Sequence, residues 1–195
     1  MTSASKLPNS CAVAFKEWAG VCDALIAGEQ ALILRKGGIA EGPAGFVPEH
    51  DAFWLYPTRV HQAEQGLRAP ERESAPATGL VPIRALAVVE LIGFVDRPEA
   101  LAALEPLHVW TAETVHKRFH YRNPGLFVLG VRVFRAPEPF PIPLTPEHAG
   151  CKTWVPLLPP LCTSGLVPVR TESEHARDRA RLRAALGTTP LRANE

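Results

Sequence analysis

Apolar positions fall into blocks whose spacing changes along the chain, and each change marks an expected element. From Ala12 to Ala27, Phe15, Trp18, Ala19, Cys22, Leu25 and Ile26 recur at helical spacing, with Gly28 as a stop, which predicts a first helix. Gln30 to Arg35 is a short apolar run before Gly37 and Gly38, and reads as a strand entering a turn. A second strand is expected at Phe53 to Tyr56, closed by Pro57. Pro82 to Val95 is the clearest strand signal, rich in Val, Ile and Leu, and a short helix with proline in its first turn follows from Pro98 to Leu104. Thr111 is placed to cap a helix running to about Tyr121, where Asn123, Pro124 and Gly125 end it. Leu126 to Phe134 alternates as a strand with one mixed face. Thr171 and Glu174 have capping-box spacing, so a basic helix is expected from Thr171 to Leu186, with Gly187 at its stop.

Between these blocks the polar stretches are equally informative. Leu67 to Gly79 is charged and small, and is expected as an exposed loop. Ala136 to Pro146 carries five prolines, which restricts it to a sheet edge or to extended polyproline-like chain. Strands around few helices, without βαβ repetition, predict an α+β fold: a curved mixed sheet or small β-barrel with a few flanking helices. At 195 residues one compact domain over residues 1–195 is expected, with residues 1–10 as a flexible amino terminus.

Composition narrows the function classes. With 46% hydrophobic and 21% charged residues the chain has the make-up of a folded domain. Twenty-one basic against 20 acidic residues leave a net charge of +1, so a polyanion would need a local patch. No apolar run approaches the roughly 18 residues that span a bilayer, and Met1 to Ser10 lacks the pattern of a secretory signal; a cytoplasmic location without membrane contact is expected. Four cysteines are too few for a disulfide scaffold.

Four groups of residues together resemble the opening of a bacterial family, domain of unknown function 1802. They are Phe15, Lys16, Glu17, Trp18; Leu34, Arg35, Lys36, Gly37, Gly38, Ile39; Glu49, His50; and Tyr56, Pro57, Thr58 with His61, Gln62. The similarity extends over most of the chain, including Trp110 and the segment Phe134 to Pro143. The resemblance implies no defined activity. It does imply a restriction or defence setting and a restriction-endonuclease-like partner, by association only.

The candidate chemistry is cationic and aromatic. Trp110 to Arg122 gathers His116, Lys117, Arg118, His120, Tyr121 and Arg122, opposed only by Glu113. Cations that neutralise phosphates beside rings that stack on unpaired bases are the means by which single strands are held. Arg35 and Lys36, next to a glycine turn, could add an anion contact, although the spacing is not that of a P-loop. The expected nucleic-acid contacts, to DNA or RNA, are therefore Arg35, Lys36, Trp110, Lys117, Arg118, Tyr121 and Arg122. A solvated helix face and a plain hairpin turn are the competing structural readings of the same residues.

Two further functions compete. Glu49, His50, Asp51 and His61, with Glu41 and Gln62 nearby, could hold a magnesium ion for phosphodiester cleavage, but the carboxylate and lysine arrangement of the common restriction-enzyme fold is not legible. The proline-rich edge could serve a protein-interaction subunit. His148, Cys151 and Cys162 lack the paired-cysteine spacing of structural zinc, and nothing identifies a nucleophilic cysteine. The arginines of the last helix, balanced by Glu172, Glu174 and Asp178, read as a solvated surface. No cofactor is expected.

Overall fold

A computed structural model describes residues 7–36, 48–59, 66–68, 79–148, 152–187 and 192–193. Its frame is one mixed sheet, and the fold is α+β as expected. Eight strands are present among the described residues: β1 (Ser10–Trp18), β2 (Leu32–Arg35), β3 (Ala52–Thr58), β4 (Leu80–Val95), β5 (Leu126–Pro143), β6 (Trp154–Cys162), β7 (Val167–Pro168) and β8 (Arg192–Ala193). The order is β2-β5-β4-β3-β1-β6, with β7 on β5 and β8 on β4. The sheet is open, ending at β2 and β6, so the curved-sheet form of the expectation holds and the closed barrel does not.

The helix expected from Ala12 to Ala27 is instead β1 followed by α1 (Ala19–Ile26). The reason is position in the sheet. β1 lies between β3, parallel, and β6, antiparallel, and both its faces are covered. Phe15 points to one face and stacks on Phe53 at 4.9 Å, while Ala14 points to the other with Trp54. A strand buried on both sides reads as a continuous apolar block, which spacing alone does not separate from a helix.

The long pair β4 and β5 forms the spine, in register from Leu80↔Pro143 to Val95↔Leu126. Register shifts between Ile83 and Ala85 and between Val89 and Leu91 mark irregularities of the kind that bend and twist a strand. Beyond Phe140 β5 pairs with β4 alone, so the proline-rich segment takes the edge position its composition requires. β3 runs through Pro57 to Thr58, because its pairing with β4 covers only Ala52 to Trp54 and no ladder bond to β4 is forfeited.

Between β4 and β5 the chain inserts α2 (Glu99–Leu104), a short 3-10 turn (Glu105–Leu107) and α3 (Ala112–His120); α4 (Glu172–Leu186) follows β7. α1, Leu104, Val115, Phe119 and Leu182 close the larger core over one face of the sheet. Ala14, Trp54, Tyr56, Ile83, Leu86 and Val155 form a second core on the other face, against which Phe140 and Ile142 pack. Most of the expected 67–79 loop and Met1 to Lys6 lie outside the described residues. Leu67 is bridged to Trp110. Among the described residues no helix is long and apolar enough to cross a membrane.

Candidate nucleic-acid interface

The cationic cluster is organised by α3. Thr111 caps its first turn, the hydroxyl accepting from the Thr114 amide at 3.3 Å, and Val115 and Phe119 turn inward while Glu113, His116, Lys117 and His120 face solvent. The last carbonyls of a helix lack intrahelical donors and carry the negative end of its dipole. Lys36, just past β2, supplies the missing cation. Its ammonium donates to the carbonyls of Phe119 at 2.9 Å and Gly125 at 2.7 Å, and also to that of Asn123.

Arg118 points the other way, into the protein. Its guanidinium lies 3.9 Å from the Trp18 ring centroid and 5.3 Å from that of Trp110, and donates to the Leu34 carbonyl at 3.3 Å. Burial lowers its pKa to about 10, the Glu17 carboxylate opposes the fall and Arg35 adds to it, so Arg118 stays charged at neutral pH. Glu17 is 1% exposed. One of its oxygens accepts the Trp18 amide at 2.9 Å, and Oε2 has no hydrogen-bond partner. Arg35 donates to the Thr153 hydroxyl at 2.6 Å and lies 5.0 Å from the Phe15 centroid.

The candidate residues therefore occupy two layers. Trp110 is wholly buried, with Arg118 and His108 against its ring, and Arg118, Arg35 and Lys36 have their partners inside the protein. The outer layer is Lys117, Tyr121 and Arg122. Lys117 pairs with Glu113 at 2.7 Å in full view of solvent, and Tyr121 is 48% exposed. The Arg122 guanidinium lies 5.2 Å from the Tyr121 centroid. Of the two aromatic candidates, only Tyr121 presents its ring to solvent. Motif spacing does not single out Glu17 as a site residue; the signal available is a carboxylate inside a mostly apolar block, shared there with Lys16 and Asp23.

The profile of the family described as Domain of unknown function (DUF1802) matches residues 14–181. The chain belongs to that family. No curated protein matches it. The DUF1802 chain is similar to the solved structure of ASCH from Zymomonas mobilis, at 12% identity over 86% of this chain and 93% of that one, with a TM-score of 0.48. A serine-to-alanine mutant of the Zymomonas mobilis protein gives 13% identity, 90% and 99% coverage and a TM-score of 0.39.

The other candidates in this DUF1802 protein are less well assembled. His50 packs edge-on against Trp154 with centroids 4.8 Å apart, and the Asp51 backbone carbonyl accepts from Val89 at 2.7 Å. Among the described residues no group of three or more His, Cys, Asp or Glu side chains is placed to hold a metal ion. Gly37, Gly38, Glu41, His61, Gln62 and Cys151 lie outside the described residues. Burial pushes the Cys11 thiol up and the Cys22 thiol well up, which disfavours a thiolate at either. The acidic residues of α4 have basic partners: Asp178 meets Arg170 and lies 4.0 Å from Arg181, and Glu172 is reached by Arg132 from β5 at 2.7 Å.

Proposed function

We propose that this protein binds single-stranded nucleic acid, DNA or RNA, across the outer face of α3 and its exit. The observation that carries the reading is the exposed Tyr121 ring with Arg122 alongside it and Lys117 one turn earlier. A base stacks on the ring, and the two cations contact the flanking phosphates. Lys36, Trp110 and Arg118 serve the same interface from beneath, since their contacts fix the helix that displays it, and Arg35 lies deeper still, donating to Thr153. A preorganised surface loses less conformational entropy on binding. The accessory role, beside a restriction-endonuclease-like partner, rests on the family resemblance alone.

Fluorescence anisotropy with labelled single-stranded DNA, duplex DNA and RNA across a salt series tests the reading. Single strands bind more tightly than duplex. Replacing Lys117 and Arg122 by alanine makes the slope of log K against log salt less negative by about 1.4, at about 0.7 for each phosphate no longer neutralised. Tyr121→Ala costs about 1–3 kcal/mol with little change in slope, as expected when a base stack is removed. Absence of binding to all three probes at low salt refutes the proposal, and cleavage on adding magnesium would instead favour the phosphodiesterase.

A further inference from the structure

α3 carries one more chemical feature, independent of the stacking surface. His116 and His120 stand four residues apart on the helix, both exposed, with ring centroids 4.3 Å apart and ring planes at 53°. That spacing places two side chains on one helical face, the relation used by paired helical histidines that share a metal ion. Two imidazole nitrogens bound to one zinc ion at about 2.0–2.1 Å each are at most about 4.2 Å apart, and closer in a tetrahedral site. The rings are thus near enough to share an ion by side-chain rotation alone.

The backbone beneath them is fixed. Thr111 caps the helix start, Lys36 donates to the Phe119 carbonyl in its last turn and to Gly125 just beyond it, and the Phe119 ring packs edge-on against His120 at 5.0 Å. We propose that His116 and His120 form a two-imidazole chelate for a borderline divalent transition metal: zinc, nickel or copper. Magnesium and calcium prefer oxygen ligands and are not expected there. Glu113 lies on the same side one turn earlier, but Lys117 holds its carboxylate at 2.7 Å. The remaining coordination positions are left to water and so to an incoming phosphate oxygen or base nitrogen. That last step rests on the nucleic-acid reading; the chelate does not.

Isothermal titration of the full chain, stripped with chelator, against zinc, nickel, copper and magnesium chlorides tests the site. Wild type binds one zinc, nickel or copper ion that is lost, or at least tenfold weaker, in both His116→Ala and His120→Ala, and unchanged in Cys162→Ser. Magnesium gives no binding. Because both histidines are exposed, thermal melts of the variants should match wild type, and paramagnetic broadening by copper should strike the His116 and His120 ring signals first. Equal metal binding by wild type and both histidine variants, or none by wild type, overturns the chelate. Anisotropy with and without zinc then reads the coupling: tighter strand binding that vanishes in the His116→Ala/His120→Ala variant supports the open-position step. Metal binding that leaves strand binding unaltered removes that step while the chelate stands.

Discussion

Replacing Lys36 by methionine isolates the contribution of a single ammonium to the presentation of α3. Methionine keeps an unbranched stem of similar length and removes the charge and three donors. The Phe119 and Gly125 carbonyls receive partly buried hydrogen bonds, whereas the bond to Asn123 is exposed and water can replace it. A hydrogen bond to a charged group contributes about 1.5–3 kcal/mol, so the two partly buried ones set a ceiling near 6 kcal/mol. Water reaching the freed carbonyls returns a good part of that, and the expected loss is about 3 kcal/mol. At about 2–4 °C for each kcal/mol in a chain of this size, the midpoint should fall by about 6–12 °C. Thermal and urea denaturation measure the loss. Amide exchange localises it, since the Tyr121 amide donates to Arg118 and the Gly125 amide to Phe119 across the same turn. Both amides should exchange faster in the variant. A loss below about 1 kcal/mol with exchange unchanged would refute the assignment of Lys36 as the clamp of this helix end.

Three other perturbations address the layer beneath the interface. Arg118→Met should cost about 1.5–3 kcal/mol in urea unfolding by removing a charged donor from the Leu34 carbonyl and a favourable charge from the surroundings of the buried Glu17, and adding Glu17→Gln should recover part of the loss in a double-mutant cycle. His108 is held neutral, chiefly by burial and then by the Arg68 and Arg118 charges, with its pKa lowered from 6.5 to about 4. The unfolded chain therefore takes up the proton first; stability is complete above pH 6.5 and falls as pH drops through 4, by about 3 kcal/mol in total. Urea midpoints at a series of pH values should show this limb in wild type and a flatter one in His108→Gln. Gly125 has φ 131°, and a Cβ there would meet Phe94 Cζ at 2.3 Å, so Gly125→Ala should lower stability by about 2 kcal/mol or more in the same assay.

Elements with local signatures are readable from the chain. The Thr111 cap and the Thr171 and Glu174 capping box both form, because a cap is set by residues three apart. What is not readable depends on distant neighbours. β1 has the spacing of a helix because its second covering layer comes from segments distant along the chain, Trp54 of β3, Ile83 of β4 and Val155 of β6 among them. β6 carries little strand signal because proline lowers strand propensity, and only its edge position makes three prolines tolerable. Within the candidate site, the charge of Lys117 and Arg118 is plain, but which one faces solvent is not. One step along a helix turns a side chain by about 100°, and the identity of the inward face is decided by Trp18 and Trp110, which lie outside the helix.

The composition of β6 has a consequence for how these molecules behave at high concentration. An open sheet offers its terminal strands as templates on which another chain could polymerise. Here one terminus, β2, is four residues long. At the other, Pro156, Pro159 and Pro160 leave three of nine residues without an amide hydrogen to offer a newcomer. Leu158 can therefore stand 88% exposed between them without seeding a continuous ladder of hydrogen bonds, and the sheet can remain open without growing into an aggregate.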